Sequence, residues 1–245
     1  MHPVNFLGEN MLALIDYHAD SSLLSSLEDC GFEPVLIPAA DYLQKGVASH
    51  TDMLIFIGFG RLFCHAHYYK VNKELIDRII RISSLELVLS NEPTGIDYPK
   101  DVLFNACIVG KKLICNKKTV SKLILDTAAE SKYDVINVPQ GYTKCSVCVV
   151  SDNAIITADK AISKACSAAG MDVLLITQGH ISLPPYDHGF IGGASGLYGN
   201  NIYFCGSLDS HPDADRIIDF CSSHSMSTVS LSKNVLWDVG TIFFI

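Results

Sequence analysis

No apolar run in this 245-residue chain approaches the roughly 20 residues that a membrane-spanning helix requires. The longest, such as Met53–Gly58 and Thr241–Ile245, read as buried strands. Charge is scarce, at 18% of residues, and positive charge is scarcer: 18 Lys and Arg stand against 26 Asp and Glu, leaving a net charge of −8 and a pI near 5.5. A surface of that sign repels phosphate backbones and anionic lipid, which argues against nucleic acid and membrane as partners. The opening residues Met1-His2-Pro3-Val4-Asn5 lack a basic region followed by an apolar stretch and a small-residue cleavage site, so a cytoplasmic location is expected. No low-complexity segment suggests disorder.

Metal-binding spacing is missing too. Cys145 and Cys148 lie three apart on an expected strand, where their side chains face opposite ways and cannot share a zinc ion. Cys64-His65-Ala66-His67 brings two histidines to one side of an extended chain, but a zinc site needs three or four ligands, so the pair reads as a loop or surface feature. Gly189–Gly196 has the glycine density of a dinucleotide fingerprint without the strand before it or the helix after it that would receive a pyrophosphate. Neither a metal nor a cofactor is expected.

What the chain has in quantity is apolar side chains, 49% of the total. That supports a substantial core, since a globular fold of this size buries roughly three quarters of its unfolded surface. Nine cysteines, an odd number scattered through apolar segments, read as reduced core thiols rather than a disulfide framework.

The apolar segments repeat. In Lys100–Pro139 the first strand, turn, return strand, helix and closing strand are Asp101–Val109, Gly110-Lys111, Lys112–Cys115, Lys117–Ala129 and Tyr133–Val138. In Gly141–Thr177 the same steps are Tyr142–Val150, Asp152-Asn153, Ala154–Thr157, Asp159–Ala169 and Met171–Ile176. Asp52–Leu89 and Gly189–Leu231 supply two further copies, turning at Gly58-Phe59-Gly60 and Gly199-Asn200-Asn201. The chain ends share a fifth. Met11–Asp16, Ser21–Cys30 and Pro34–Ile37 form a return strand, helix and closing strand without a first strand, whereas Trp237–Ile245 is a first strand with nothing after it. Pairing Trp237–Ile245 with Met11–Asp16 would close a ring of five ββαβ units and remove two exposed sheet edges. The expected architecture is a single α/β domain over residues 1–245, a five-bladed α/β propeller. A doubly wound parallel sheet also alternates strands and helices, but four turns join strands with no helix between, and a parallel crossover needs a dozen residues or more.

A closed ring of five such units resembles the pentein superfamily, which includes arginine and agmatine deiminases, dimethylarginine hydrolases, amidinotransferases and a non-catalytic ribosome anti-association factor. The strings Gln140-Gly141-Tyr142-Thr143-Lys144-Cys145 and Gly189-Phe190-Ile191-Gly192-Gly193-Ala194-Ser195-Gly196 resemble an uncharacterised bacterial family assigned to this fold. The resemblance implies a central channel lined by the first strands, and in catalytic members a nucleophilic cysteine on the first strand of the last unit. Trp237–Ile245 carries Gly240 and Thr241 there but no cysteine, so no catalytic triad carries over.

The polar residues that such a ring turns toward its channel are Asp52, Asp101 with Asn105, Lys144 with Cys145 or Ser146, Asp187 with His188, Ser195 and Asp238. Converging carboxylates suit a cationic or zwitterionic small molecule, a guanidinium compound or an amino acid. One reading is a hydrolase or transferase of a guanidino, amidine or amino-acid-like compound. In it the Cys145 thiolate, favoured by Lys144 and His188, attacks the amidine carbon, His188 shuttles protons and Asp101 or Asp52 holds the cationic nitrogens. Asn105, Lys144, Ser195 and Asp238 complete the pocket. The other reading is a non-catalytic binding or assembly module whose channel is plugged by Tyr142, Phe190 and other bulky groups. Either admits a homo-oligomer. The linkers Ala39–Ser49, Asn91–Pro99 and Gln178–Asp187 are expected to cover one mouth of the channel.

Overall fold

The computed structural model describes residues 11–245, so the Met1–Asn5 segment and the first ten residues of the expected domain lie outside the described residues. The first elements of the described residues are β1 (Leu12–Asp16), α1 (Ser21–Asp29) and β2 (Glu33–Ile37). A second unit holds α2 (Thr51–Leu54), β3 (Ile55–Gly58), β4 (Arg61–His65), α3 (Ala66–Val71), α4 (Lys73–Ser83) and β5 (Glu86–Ser90). The third holds β6 (Cys107–Val109), β7 (Lys112–Cys115), α5 (Lys122–Glu130) and β8 (Asp134–Asn137). In the fourth come α6 (Thr143–Ser146), β9 (Cys148–Ser151), β10 (Ala154–Thr157), α7 (Lys160–Ala168) and β11 (Asp172–Leu175). The last has β12 (Ser195–Tyr198), β13 (Asn201–Phe204), α8 (Ala214–Ser223) and β14 (Ser227–Ser230), and the chain finishes on β15 (Phe243–Phe244). Among the described residues no helix is long and apolar enough to cross a membrane.

Every sheet has three strands. A first strand pairs antiparallel with the return strand, which pairs parallel with the closing strand through the helix: β3-β4-β5, β6-β7-β8, β9-β10-β11 and β12-β13-β14. The fifth sheet, β15-β1-β2, joins the two ends of the chain, with Ala13 opposite Phe244 and Leu14 opposite Phe243. Local chemistry sets the helices. Asp20 caps α1 by accepting from the Ser22 and Leu23 amides, and Asp159 caps α7 through the Ala161 and Ile162 amides. In α4, Ile76, Ile79 and Ile82 recur at helical spacing and are buried, and the helix ends at Ser84 in the left-handed region. The hairpin turn at Gly110 (φ +56) packs so closely on the neighbouring unit that a Cβ there would lie 2.3 Å from the Asp152 carbonyl oxygen.

First strands are shorter than expected. Asp101–Val109 is strand only from Cys107, Tyr142–Val150 begins with the α6 turn, and Trp237–Ile245 is strand only at its last residues. Side chains from Asp101 to Cys107 and from Thr143 to Cys148 are all buried, without the alternation that a strand would show. These segments are short turns that dip into the axis before each first strand, and an unbroken apolar run does not distinguish the two.

The five turns are sewn to one another in a closed circuit. The Asp52 amide donates to the Gly240 carbonyl (3.0 Å), the Thr241 amide to Gly193 (2.8 Å) and the Gly193 amide to Cys145 (2.8 Å). Asn105 completes it with its side chain. Its Oδ1 accepts from the Lys144 amide (2.7 Å) and its Nδ2 donates to the Asp52 carbonyl (3.2 Å).

Candidate functional site

A pocket of about 400 Å³ opens at the carboxyl ends of β1 and β13. Its floor is built from three buried ionisable residues supplied by three separate segments. Asp16 is the last residue of β1, His50 precedes α2, and Asp238 precedes the turn leading to β15. His50 lies between the two acids, its Nε2 3.8 Å from Asp16 Oδ2 and its Nδ1 3.8 Å from Asp238 Oδ1. Those separations are too long for direct hydrogen bonds.

Each acid is held by donors from its own surroundings. Asp16 accepts from the His18 amide (2.6 Å), the His18 ring (3.0 Å) and the Ser49 hydroxyl (2.9 Å). Asp238 accepts from the Phe190 amide (2.8 Å) and the Gly240 amide (2.9 Å). Burial still outweighs those bonds and pushes the Asp238 carboxyl up to about 6. Burial also lowers the pKa of His50, against the pull of Asp52 and Asp16, so the ring is neutral near neutral pH. Asp20, Lys45, Cys205 and Trp237 complete the wall. Two of the three linkers expected as lids supply part of it: Lys45, Gly46, Ser182 and Leu183 face the pocket, and the Tyr186 hydroxyl ties one linker to the other through Gln44 (2.8 Å), whereas Asn91–Pro99 does not line it.

The glycine-rich segment makes this arrangement possible. A Cβ on Gly193 would lie 1.9 Å from Asp238 Oδ1, and one on Gly189 2.4 Å from Asp238 Cβ. On Gly192 it would meet three carbonyl oxygens of residues 144–147 within 2.6 Å. Side chains were removed here so that backbone and a buried carboxylate could meet.

The residues expected to converge are instead distributed. Asp238 alone among them lines the pocket. Asp52, Asn105 and Cys145 are buried in the turn circuit: Asn105 Nδ2 lies 3.1 Å from Cys145 Sγ, and Thr241 Oγ1 donates to Asp52 Oδ2 (2.8 Å). Burial raises the Asp52 pKa, against the His50 and Lys144 charges and its contact with the Cys145 thiol. Asp101 sits under Tyr142, whose hydroxyl donates to it (2.6 Å). Lys144 and Ser195 line a different cavity. His188 is half-buried and meets Gln178 (2.7 Å) rather than Cys145.

The expected activation of Cys145 is corrected by these surroundings. Burial, then the Asp52 and Asp238 carboxylates, push its thiol well above the ordinary cysteine value. Lys144, expected to favour the thiolate, turns its ammonium to Val147 O (3.4 Å) and Thr241 Oγ1 (3.1 Å). Tyr142 and Phe190 stack at 6.3 Å and pack in the same apolar cluster as Cys145. Cys145 also lies in the α6 turn, not on a strand as expected. The His65 ring caps α3, accepting from the His67 amide, and His67 is half exposed beside Asp41.

Asp16, His18, Lys45 and His50 were not singled out by the sequence. One signal was available: Ser49-His50-Thr51-Asp52 occupies the place before β3 that Tyr142-Thr143-Lys144-Cys145 occupies before β9, so aligning the repeats puts a histidine at the head of an axial turn.

Residues 14–243 match the model of a family of unknown function (DUF6873). No curated protein matches the chain. Among solved structures, a DDAH from Pseudomonas aeruginosa complexed with citrulline is similar over 91% of both chains, at 8% identity and a TM-score of 0.54. An agmatine deiminase from C. jejuni is similar over 95% of this chain and 81% of its own, at 10% identity and a TM-score of 0.52. An amidinotransferase from Microseira wollei, of the saxitoxin biosynthetic pathway, is similar over 90% of this chain and 80% of its own, at 9% identity and 0.52. The five three-stranded units are those of the pentein fold, shared with these guanidino-modifying hydrolases and transferases.

Proposed function

The chain belongs to that family of unknown function, DUF6873, and from this premise we propose that it holds a small cationic or zwitterionic guanidino or amidine compound in the pocket floored by Asp16, His50 and Asp238. The observation that carries the proposal is a buried, neutral histidine between two carboxylates at the bottom of a pocket of about 400 Å³. A cation entering there replaces lost hydration with charge-assisted hydrogen bonds to the acids, and Lys45 at the wall offers a partner for a ligand carboxylate. Citrulline, bound to the Pseudomonas neighbour, is a zwitterion of that size and the ureido counterpart of a guanidino amino acid.

The test is calorimetric titration of the purified protein with arginine, agmatine and citrulline. Saturable binding of at least one guanidino compound, weakened about tenfold or more in Asp238→Asn, is expected, since a charge-assisted bond is worth at least one factor of ten. Failure of the whole panel to bind the native protein would sink the proposal.

A second reading is favoured by Cys205, a thiol that shares the pocket wall with His50 and Asp238. In a hydrolase, the sulfur bonds to the amidine carbon while the thiol proton passes to His50. The C–N bond then breaks as the amine leaves with that proton, and water displaces the thiol to give the ureido product. Burial raises the Cys205 pKa strongly, so proton removal by His50 would have to accompany attack. Ammonia or amine release lost in Cys205→Ser and kept in Cys145→Ala would support this reading and exclude Cys145 as nucleophile. Binding without release leaves the non-catalytic module.

A further inference from the structure

A second cavity, of about 190 Å³, shares no lining residue with the pocket. Where the pocket takes residues that precede the axial turns, this cavity takes residues that follow them: Ile108 of β6, Val149 of β9, Leu197 of β12 and Phe244 of β15. It opens between four of the five first strands, a position we call the channel mouth, and apart from Lys144, Ser195 and Thr241 its lining side chains are apolar. At its floor are Lys144, Ser195 and Thr241.

Lys144 is only 9% exposed, and an ammonium carries three donors. Two are directed to neutral oxygens, Val147 O at 3.4 Å and Thr241 Oγ1 at 3.1 Å. Among the described residues no carboxylate lies within ion-pair distance of it. The nearest link to an acid runs through the Thr241 hydroxyl to Asp52. Its Nζ also lies 6.0 Å from the centre of the Phe243 ring, which itself lines the cavity. Asp52 and Asp238 feel the Lys144 charge only from beyond ion-pair distance. A buried ammonium without a direct ion pair is costly, and an anion entering from the channel mouth would supply one in a low-dielectric setting.

We propose that this channel mouth is a binding site for a small aliphatic carboxylate, its head on Lys144 beside the Ser195 hydroxyl and its tail along Ile108, Val149, Leu197 and Phe244. A cavity of 190 Å³ equals the liquid volume share of about six waters, which suits a chain of about four carbons. A phosphate or sulfate would leave the apolar wall unused, and a neutral alcohol would leave the ammonium unpaired.

The experiment titrates the full chain with butanoate, butan-1-ol and butylammonium, observed by saturation-transfer NMR and by calorimetry. Butanoate is expected to bind at one site per chain at least tenfold more tightly than the alcohol or the amine. Leu197→Trp, which fills the mouth and leaves Lys144 in place, is expected to abolish that binding, and Lys144→Met, where it folds, to weaken it tenfold or more. Equal binding of butanoate and butan-1-ol, no binding of butanoate, or butanoate binding unchanged in Leu197→Trp would each overturn the proposal. The native-protein comparison and Leu197→Trp decide the matter even if Lys144→Met is unfolded.

Discussion

Asp238 is 1% exposed, and its two backbone donors do not make up for the water that it loses, which is why its carboxyl is held up at about 6 against an ordinary 3.8. The folded chain therefore binds a proton that the unfolded chain has released between those two values, and stability falls as pH rises through that window. A shift of that size corresponds to about 3 kcal/mol. Urea unfolding between about pH 4 and pH 7 measures the slope, and Asp238→Asn is expected to flatten it. Cys145 shows the same physics at a thiol: with Asp52 and Asp238 as neighbours and 3% exposure, it is expected to resist iodoacetamide in the native state and to react on unfolding. Rapid alkylation of native Cys145 down to about pH 6 would contradict this account and return it to the list of nucleophiles.

Asn105 acts between elements. It was expected to contact a ligand, and in the fold its amide replaces two of the main-chain links that join the other axial turns, accepting from α6 and donating to the turn before β3. Removing it leaves the Lys144 and Cys145 amides without their acceptor in a region closed to water. Asn105→Ala should cost about 2–4 kcal/mol in chemical denaturation, more than a surface truncation, because each buried unpaired donor costs about 1–3 kcal/mol. A loss under about 1 kcal/mol would show that the turns hold without it. The helices depend on shorter-range chemistry. Asp159→Ala removes the acceptor for two amides at the start of α7, and a loss of about 1 kcal/mol is expected in the same experiment.

At the scale of the molecule the two chain ends meet in one sheet. Leu12 and Ile245 exchange main-chain hydrogen bonds at 2.7 and 2.9 Å, and the Phe244 ring packs on Phe32 at 4.5 Å and on Tyr203 at 5.1 Å. Deleting residues 243–245 leaves β1 with an unpaired edge and uncovers that aromatic cluster. A lower melting temperature with increased binding of a hydrophobic dye is expected, and an unchanged melting curve would mean that the two ends contribute nothing to each other's stability.

The repeat was legible in the sequence because its causes are local. Turn residues at Gly58–Gly60, Gly110, Asp152-Asn153 and Gly199–Asn201, apolar return strands such as Ala154–Thr157, and capped helices such as α7 each follow from a few neighbouring side chains. Five such units in order point to the pentein fold, which the similar solved structures share. The candidate site has no local cause. Asp16, His50 and Asp238 stand far apart in the chain and meet only when the turns pack around the axis, and Cys145 and His188 look equally plausible until that packing separates them. Sequence determined the return strands, helices and closing strands and their repetition, whereas only the tertiary structure decided that much of each expected first strand is an axial turn and which buried charges share a cavity, because both depend on inter-unit contacts that no single repeat contains.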